Sequence, residues 1–221
     1  MNQRKRLILL DTNLLLFILF DPAILFPRMN ERDKILLLYA NEIYYNPDTT
    51  IIVPDLMLDI EIPRVVLRQI ITEGISDRQK LSILLNAIKS LREDIKSAEI
   101  LGKFRLFTVW NSNCLRTAAE LYNRIRLRMS KKRQRDISNF LKRKHQDILL
   151  LAIAKIENAI VVTADRDFKR FVEEGEIDVP VCYIKIDQEA KVTQLIPLNV
   201  SNDDRAWFVE IDKRARQKWS R

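Results

Sequence analysis

Glycine occurs only three times in 221 residues, and that scarcity excludes the phosphate-cradling loops of the GxGxxG and GxxxxGK[ST] kinds, with the nucleotide-fold enzymes that depend on them. The two cysteines, Cys114 and Cys182, stand far apart without a CxxC partner, so neither a zinc ribbon nor a disulfide framework is expected and both read as core thiols. His145 is the one histidine, which leaves no His-rich metal site and no second imidazole for a hydrolase triad. Any metal must therefore be held by oxygen. Unbroken apolar runs are also lacking: Leu7 to Phe20 is interrupted by Asp11, Thr12 and Asn13, so it does not cross a bilayer as one apolar segment. Arg4, Lys5 and Arg6 imitate the charged start of a signal peptide, but a carboxylate inside the apolar stretch and no small-residue cleavage site argue against one. The expected compartment is the cytoplasm, with no membrane partner.

What is present is the profile of a folded chain, with 47% hydrophobic and 31% charged residues, long enough for one α/β domain without staples. A formal net charge of +8 favours a polyanionic partner. The charge is clustered: from Arg124 to Lys144 the chain carries Arg124, Arg126, Arg128, Lys131, Lys132, Arg133, Arg135, Lys142, Arg143 and Lys144 against the single acid Asp136. Such a patch suits a nucleic-acid backbone.

Leu7–Leu10 reads as a buried strand ending at Asp11, and 31–45 as a helix ended by Asn46-Pro47-Asp48. A second short strand, 50–53, precedes Pro54, and a helix follows to about Thr72 with Asp55 near its start and Pro63 as a kink or divide. Ser76 is the expected N-cap of a helix to about Ala98, and Phe104–Val109 is a third strand. Asn111 or Ser112 opens a helix to Met129, 146–158 is a buried helix, and 159–163 is a fourth strand delivering Asp165 and Asp167. A short helix to Glu173, a last strand at 181–184 and a basic C-terminal helix complete the reading. Strands alternating with helices imply a mostly parallel sheet of four to five strands, whose site lies beyond the carboxyl ends of the strands. Asp11 and Asp165 both follow strands directly.

Acids gathered at one edge repel one another unless a cation neutralises them, and Mg²⁺ or Mn²⁺ with oxygen ligands is the natural choice. Three motifs stand in order: Asp11-Thr12-Asn13, Asp147 with Ala152 and Ala154, and Val162-Thr163-Ala164-Asp165-Arg166-Asp167-Phe168. In these, and in Ala118-Ala119-Glu120-Leu121-Tyr122, the sequence resembles the PIN-domain nucleases, including VapC-type toxins, over most of Leu7 to Ile184. The resemblance implies a three-layer α/β/α domain over residues 1–200 and a metal-dependent endoribonuclease hydrolysing RNA, with DNA the weaker candidate substrate. It implies Asp11, Asp147 and Asp165 as catalytic acids and metal ligands. Asp167 would be a supplementary ligand, and Asn13 and Thr163 auxiliary residues that orient water or carboxylates by hydrogen bonding.

The family's second acid, a Glu beyond the second strand, matches imperfectly. Asp59 falls slightly early and Glu61 slightly late; Asp59 is preferred as the catalytic acid and Glu61 kept as a metal ligand in reserve. The basic residues Arg124, Arg128, Lys131, Lys132, Arg133, Arg135, Lys142, Arg143 and Lys144 are expected to hold the RNA backbone. His145 is expected to touch a phosphate or to be structural. Residues 75–101 allow an added helix or a partner surface, and 201–221 form a basic tail or helix whose Trp207 and Trp219 either stack on bases or pack on the domain. A small antitoxin protein and a homodimer are the partners the resemblance implies. Two other classes were weighed. A PIN-fold RNA-binding or docking protein without catalysis is kept open by the irregular second acid; a haloacid-dehalogenase-like phosphatase is disfavoured because its second Asp would fall at Asn13.

Overall fold

Short aliphatic runs and amphipathic stretches alternate along the chain, and most become the element their period dictates. The computed structural model describes residues 5–132, 137–187 and 192–219. In chain order the elements are β1 (Arg6–Leu10), α1 (Thr12–Leu19), α2 (Pro22–Leu25), α3 (Glu31–Tyr44), β2 (Thr49–Pro54), a π-helical turn (Met57–Glu61), α4 (Ile62–Thr72), α5 (Arg78–Ile100) and β3 (Phe104–Phe107). They continue with α6 (Ser112–Lys132), α7 (Ile137–Lys142), α8 (His145–Glu157), β4 (Ile160–Thr163), α9 (Arg166–Glu173), β5 (Val181–Asp187), β6 (Val192–Leu198) and α10 (Asn202–Trp219). The chain is an α/β protein whose described residues form six strands, mostly parallel, one strand more than the sequence suggested.

The chain divides into two compact units. The first holds 1–5, 12–108 and 213–221. Here β2 runs parallel to β3, Ile52 opposite Arg105, and every residue of β2 is buried. Helix α3 starts at Asn30, whose side chain accepts the Asp33 N–H, and α5 starts at Asp77, whose carboxylate accepts the N–H groups of Gln79 and Lys80. Asp77, not Ser76, is thus the cap. Pro63 sits in the first turn of α4, and the π-helical turn runs directly into that helix. The expected segment 75–101 is occupied by α5.

The second unit holds 6–11 and 109–212. Its strands run β1-β4-β5-β6, the first three parallel and β6 antiparallel to β5. Ile8, Leu9 and Leu10 are fully buried, as are Val161 and Val162 beside them. Helix α8 contributes Ile148, Leu150, Leu151, Ala152, Ile153 and Ala154 to this core, and Asn158 ends it in the left-handed region at φ 51°. Ala159 N–H then donates to the Ala154 carbonyl, turning the chain straight into β4. Cys114 and Cys182 are buried free thiols, and burial pushes the Cys182 thiol well up, with Asp212 adding to the effect.

Candidate functional site

The carboxyl end of β4 and the start of α8 both belong to the second unit, and so does Asp11 at the end of β1. Parallel pairing sets the first relation: Asp11 N–H donates to the Val162 carbonyl at 3.1 Å, which holds Asp11 beside the carboxyl end of β4. Thr163, fully buried, donates its hydroxyl to Asp11 Oδ2 at 2.6 Å and accepts the Asp165 N–H at 2.9 Å. The Ala164 N–H donates to the same Asp11 oxygen at 3.3 Å. One hydroxyl therefore ties together the two acids that follow adjacent strands.

Asp165 also caps α9, its Oδ1 accepting the Asp167 N–H at 2.8 Å, the ordinary duty of an Asp before a helix. Its other oxygen faces Lys144. The Lys144 ammonium lies 3.0 Å from Asp165 Oδ2, 2.9 Å from Asp167 Oδ2 and 3.2 Å from Asp147 Oδ2. Three acids, from the end of β4, the first turn of α9 and the first turn of α8, thus converge on one nitrogen. The opposite oxygen of Asp167 receives Arg170 Nη1 at 2.9 Å.

Electrostatics follow from this crowding. Burial pushes the Asp147 carboxyl up to about 6; Lys144 pulls against that, while Asp165 and Asp167 reinforce it. Burial would lower the Lys144 pKa, yet its hydrogen bonds to Asp167 and Asp165 and the charges of Asp147 and Asp165 outweigh it, and the ammonium is held above its usual range. Asp147 Oδ2 is a buried oxygen that Lys144 reaches as an ion-pair partner, outside hydrogen-bond geometry.

The donor set suits a hard divalent cation in chemistry, because it is carboxylate oxygen throughout and the cluster already gathers around a positive charge. In geometry the cluster is closed on the ammonium: among the described residues, no three His, Cys, Asp or Glu side chains are disposed as a metal cage. An ion would have to take the place that Lys144 fills.

The remaining expected residues are placed as follows. Asp59 lies in the π-helical turn of the first unit, half exposed and 3.2 Å from Arg92; Glu61 closes the same turn. Asn13 is exposed at the start of α1, also in the first unit. Asp55 of the first unit, directly after β2, is buried and accepts the Leu56 N–H at 2.7 Å. Arg124, Arg126 and Arg128 are exposed along α6, Arg128 meeting Glu176 at 3.2 Å, and Lys142 at the end of α7 and Arg143 just after it are exposed. The side chains of Lys131 and Lys132, and all of Arg133 and Arg135, lie outside the described residues. His145 Nδ1 meets the Lys142 carbonyl at 3.2 Å. Trp207 packs against Phe208, with the Arg6 guanidinium 5.3 Å from its ring. Sequence reasoning missed the position of Lys144 among the acids, since in a run of basic residues nothing marks one as turned inward.

The fold and the cluster define an α/β protein with a lysine-centred carboxylate site at the ends of parallel strands. No family model matches the sequence, and no curated protein matches it. Among solved structures the chain is similar to the VapBC2 complex from Rickettsia felis bound to a DNA fragment from its promoter. That likeness has 19% identity and a TM-score of 0.33, and covers 75% of this chain and 92% of the other. A likeness of that size assigns neither activity nor partner.

Proposed function

We propose that the second unit carries the site of a metal-dependent endoribonuclease. The observation that carries this reading is the convergence of Asp147, Asp165 and Asp167 on one cation within 3.2 Å, with Asp11 joined to Asp165 through Thr163. Acids drawn from separate segments and partly withdrawn from water are costly to assemble unless a cation is to be held there. Asp11, Asp147 and Asp165 would hold Mg²⁺ or Mn²⁺, with Asp167 as a supplementary ligand. When bound, such an ion lowers the pKa of water and polarises a phosphodiester, so that hydrolysis needs no side-chain nucleophile. Thr163 keeps Asp11 and Asp165 oriented toward each other. The exposed arginines of α6, with Lys142 and Arg143, would grip the RNA backbone in a salt-sensitive and largely sequence-independent way. Asp59 and Glu61 stay as the two proposals for a further acid.

The motif resemblance makes the toxin of a toxin-antitoxin pair the proposed biological setting, with a small acidic protein as partner and a homodimer as assembly. The test is incubation of the full-length protein with total RNA in Mn²⁺ or in chelator, alongside Asp11→Asn and Asp147→Asn. Cleavage that needs Mn²⁺ and disappears in both variants is the expected result. Cleavage unchanged by the variants or by chelator would overturn the assignment.

A second reading has an observation of its own. Lys144 and Arg170 already pair with three of the acids, as in a nuclease fold that has become an RNA-binding or docking protein. Calorimetry with Mn²⁺ separates the two, because a lapsed site takes up no metal.

A further inference from the structure

We propose that Lys144 is a built-in competitor for the cation site: its ammonium gathers Asp147, Asp165 and Asp167, and a divalent ion enters only by displacing it. This rests on the reading of the cluster as a metal site and adds how that site is regulated.

The position of Lys144 in the chain is the first support. It stands at the N-cap of α8 and gives no side-chain cap to that helix. A helix start favours Ser, Thr, Asp or Asn and carries a partial positive charge, so a lysine there is poorly placed on local grounds. Only the carboxylates make the location favourable. The second support is convergence: oxygens of three separate carboxylates lie at 2.9, 3.0 and 3.2 Å from the one ammonium nitrogen. A Mg²⁺ or Mn²⁺ ion drawing on the same oxygens at about 2.1 Å would occupy the volume of the nitrogen, and two cations so close in a half-buried site repel strongly.

The third support is the contrast with the neighbouring cation. Arg170 is held by Asp167, lies 3.6 Å from Glu174 and has its guanidinium 5.0 Å from the Phe140 ring. Its contacts reach well beyond the acids. Lys144 is a compact charge on a flexible stem, which can swing into water when its place is taken. The free protein thereby keeps its acids assembled and in part neutralised, and metal uptake is set against an internal rival of fixed local concentration.

The experiment is calorimetric titration of Mn²⁺ into the full-length wild type, Lys144→Gln and Lys144→Arg, with melting of each in chelator. Lys144→Gln should bind Mn²⁺ roughly tenfold more tightly than wild type, or better, and melt lower without metal; Lys144→Arg, which keeps the charge, should stay near wild type. A merely structural lysine would weaken binding on replacement. Wild-type uptake with no gain in Lys144→Gln overturns the proposal and spares the metal site; no uptake by any of the three overturns both. A second measurement needs no variant: acetylation of the Lys144 amine in the wild type, read by mass spectrometry, should rise when saturating Mn²⁺ is added. Labelling indifferent to Mn²⁺ also overturns the proposal.

Discussion

Thr163 and Asp11 are 152 positions apart in sequence, and the hydroxyl of one donates to the carboxylate of the other at 2.6 Å in the buried end of β4. The bond is charge-assisted, and the same hydroxyl accepts the Asp165 N–H. Thr163→Val keeps the shape and removes both contacts. The expected loss is about 2 kcal/mol of stability, read from urea denaturation, because a hydrogen bond to a charged group goes and the buried acid loses a donor. Cleavage should fall with it, while Thr163→Ser, retaining the hydroxyl, keeps most of both.

Asp11→Asn and Asp147→Asn are near-isosteric and should change stability by less than about 1 kcal/mol, so that an activity loss in them reports chemistry rather than unfolding. Far-ultraviolet circular dichroism and RNA binding in chelator are the controls, both expected near wild type. An unfolded Asp147→Asn would mean that the acid serves Lys144 and the fold instead of a reaction.

Arg124 and Lys142 are exposed on α6 and at the end of α7. If they contact phosphates, alanine at either position weakens binding to unrelated RNA sequences alike and reduces the slope of log affinity against log salt by about 1. A slope unchanged by both substitutions would move the nucleic-acid surface elsewhere.

Gly175 and Gly74 make a matched pair. A Cβ at Gly175 would stand 2.5 Å from the Phe171 carbonyl oxygen and 3.1 Å from Ile125, whereas at Gly74 nothing lies within 4 Å and only the φ of 60° resists a side chain. Gly74→Ala should cost about 1 kcal/mol for its backbone conformation, and Gly175→Ala more, roughly 1–3 kcal/mol, because backbone and core must shift. Equal denaturation midpoints would contradict the close approach of Gly175 to Phe171 and Ile125.

Much of this is legible in the sequence. β1 ending at Asp11 and β4 ending at Thr163 announce themselves because a buried parallel strand is an unbroken aliphatic run closed by a polar residue. Helix α8 is equally plain, a long apolar stretch rich in leucine and alanine with an acid in its first turn. Other elements left weaker traces. The run from Leu14 to Phe20 is apolar on every side, so periodicity alone does not separate helix from strand, and α1 emerges only in the fold. β6 is less plain in the sequence, since Pro197 within a strand pattern counts against a strand except at an edge. Lys144 could not be picked out, because its neighbours Lys142 and Arg143 carry the same charge and only the tertiary approach of β4 and α9 gives it acids to meet.

The edge position of β6 has a bearing on assembly. With Pro197 set opposite Cys182, the last strand of the second unit offers an incomplete row of donors to anything that would extend it. A further strand laid there, from a neighbouring copy or an unfolded chain, would find a gap in the ladder, which guards that border against runaway strand-on-strand growth.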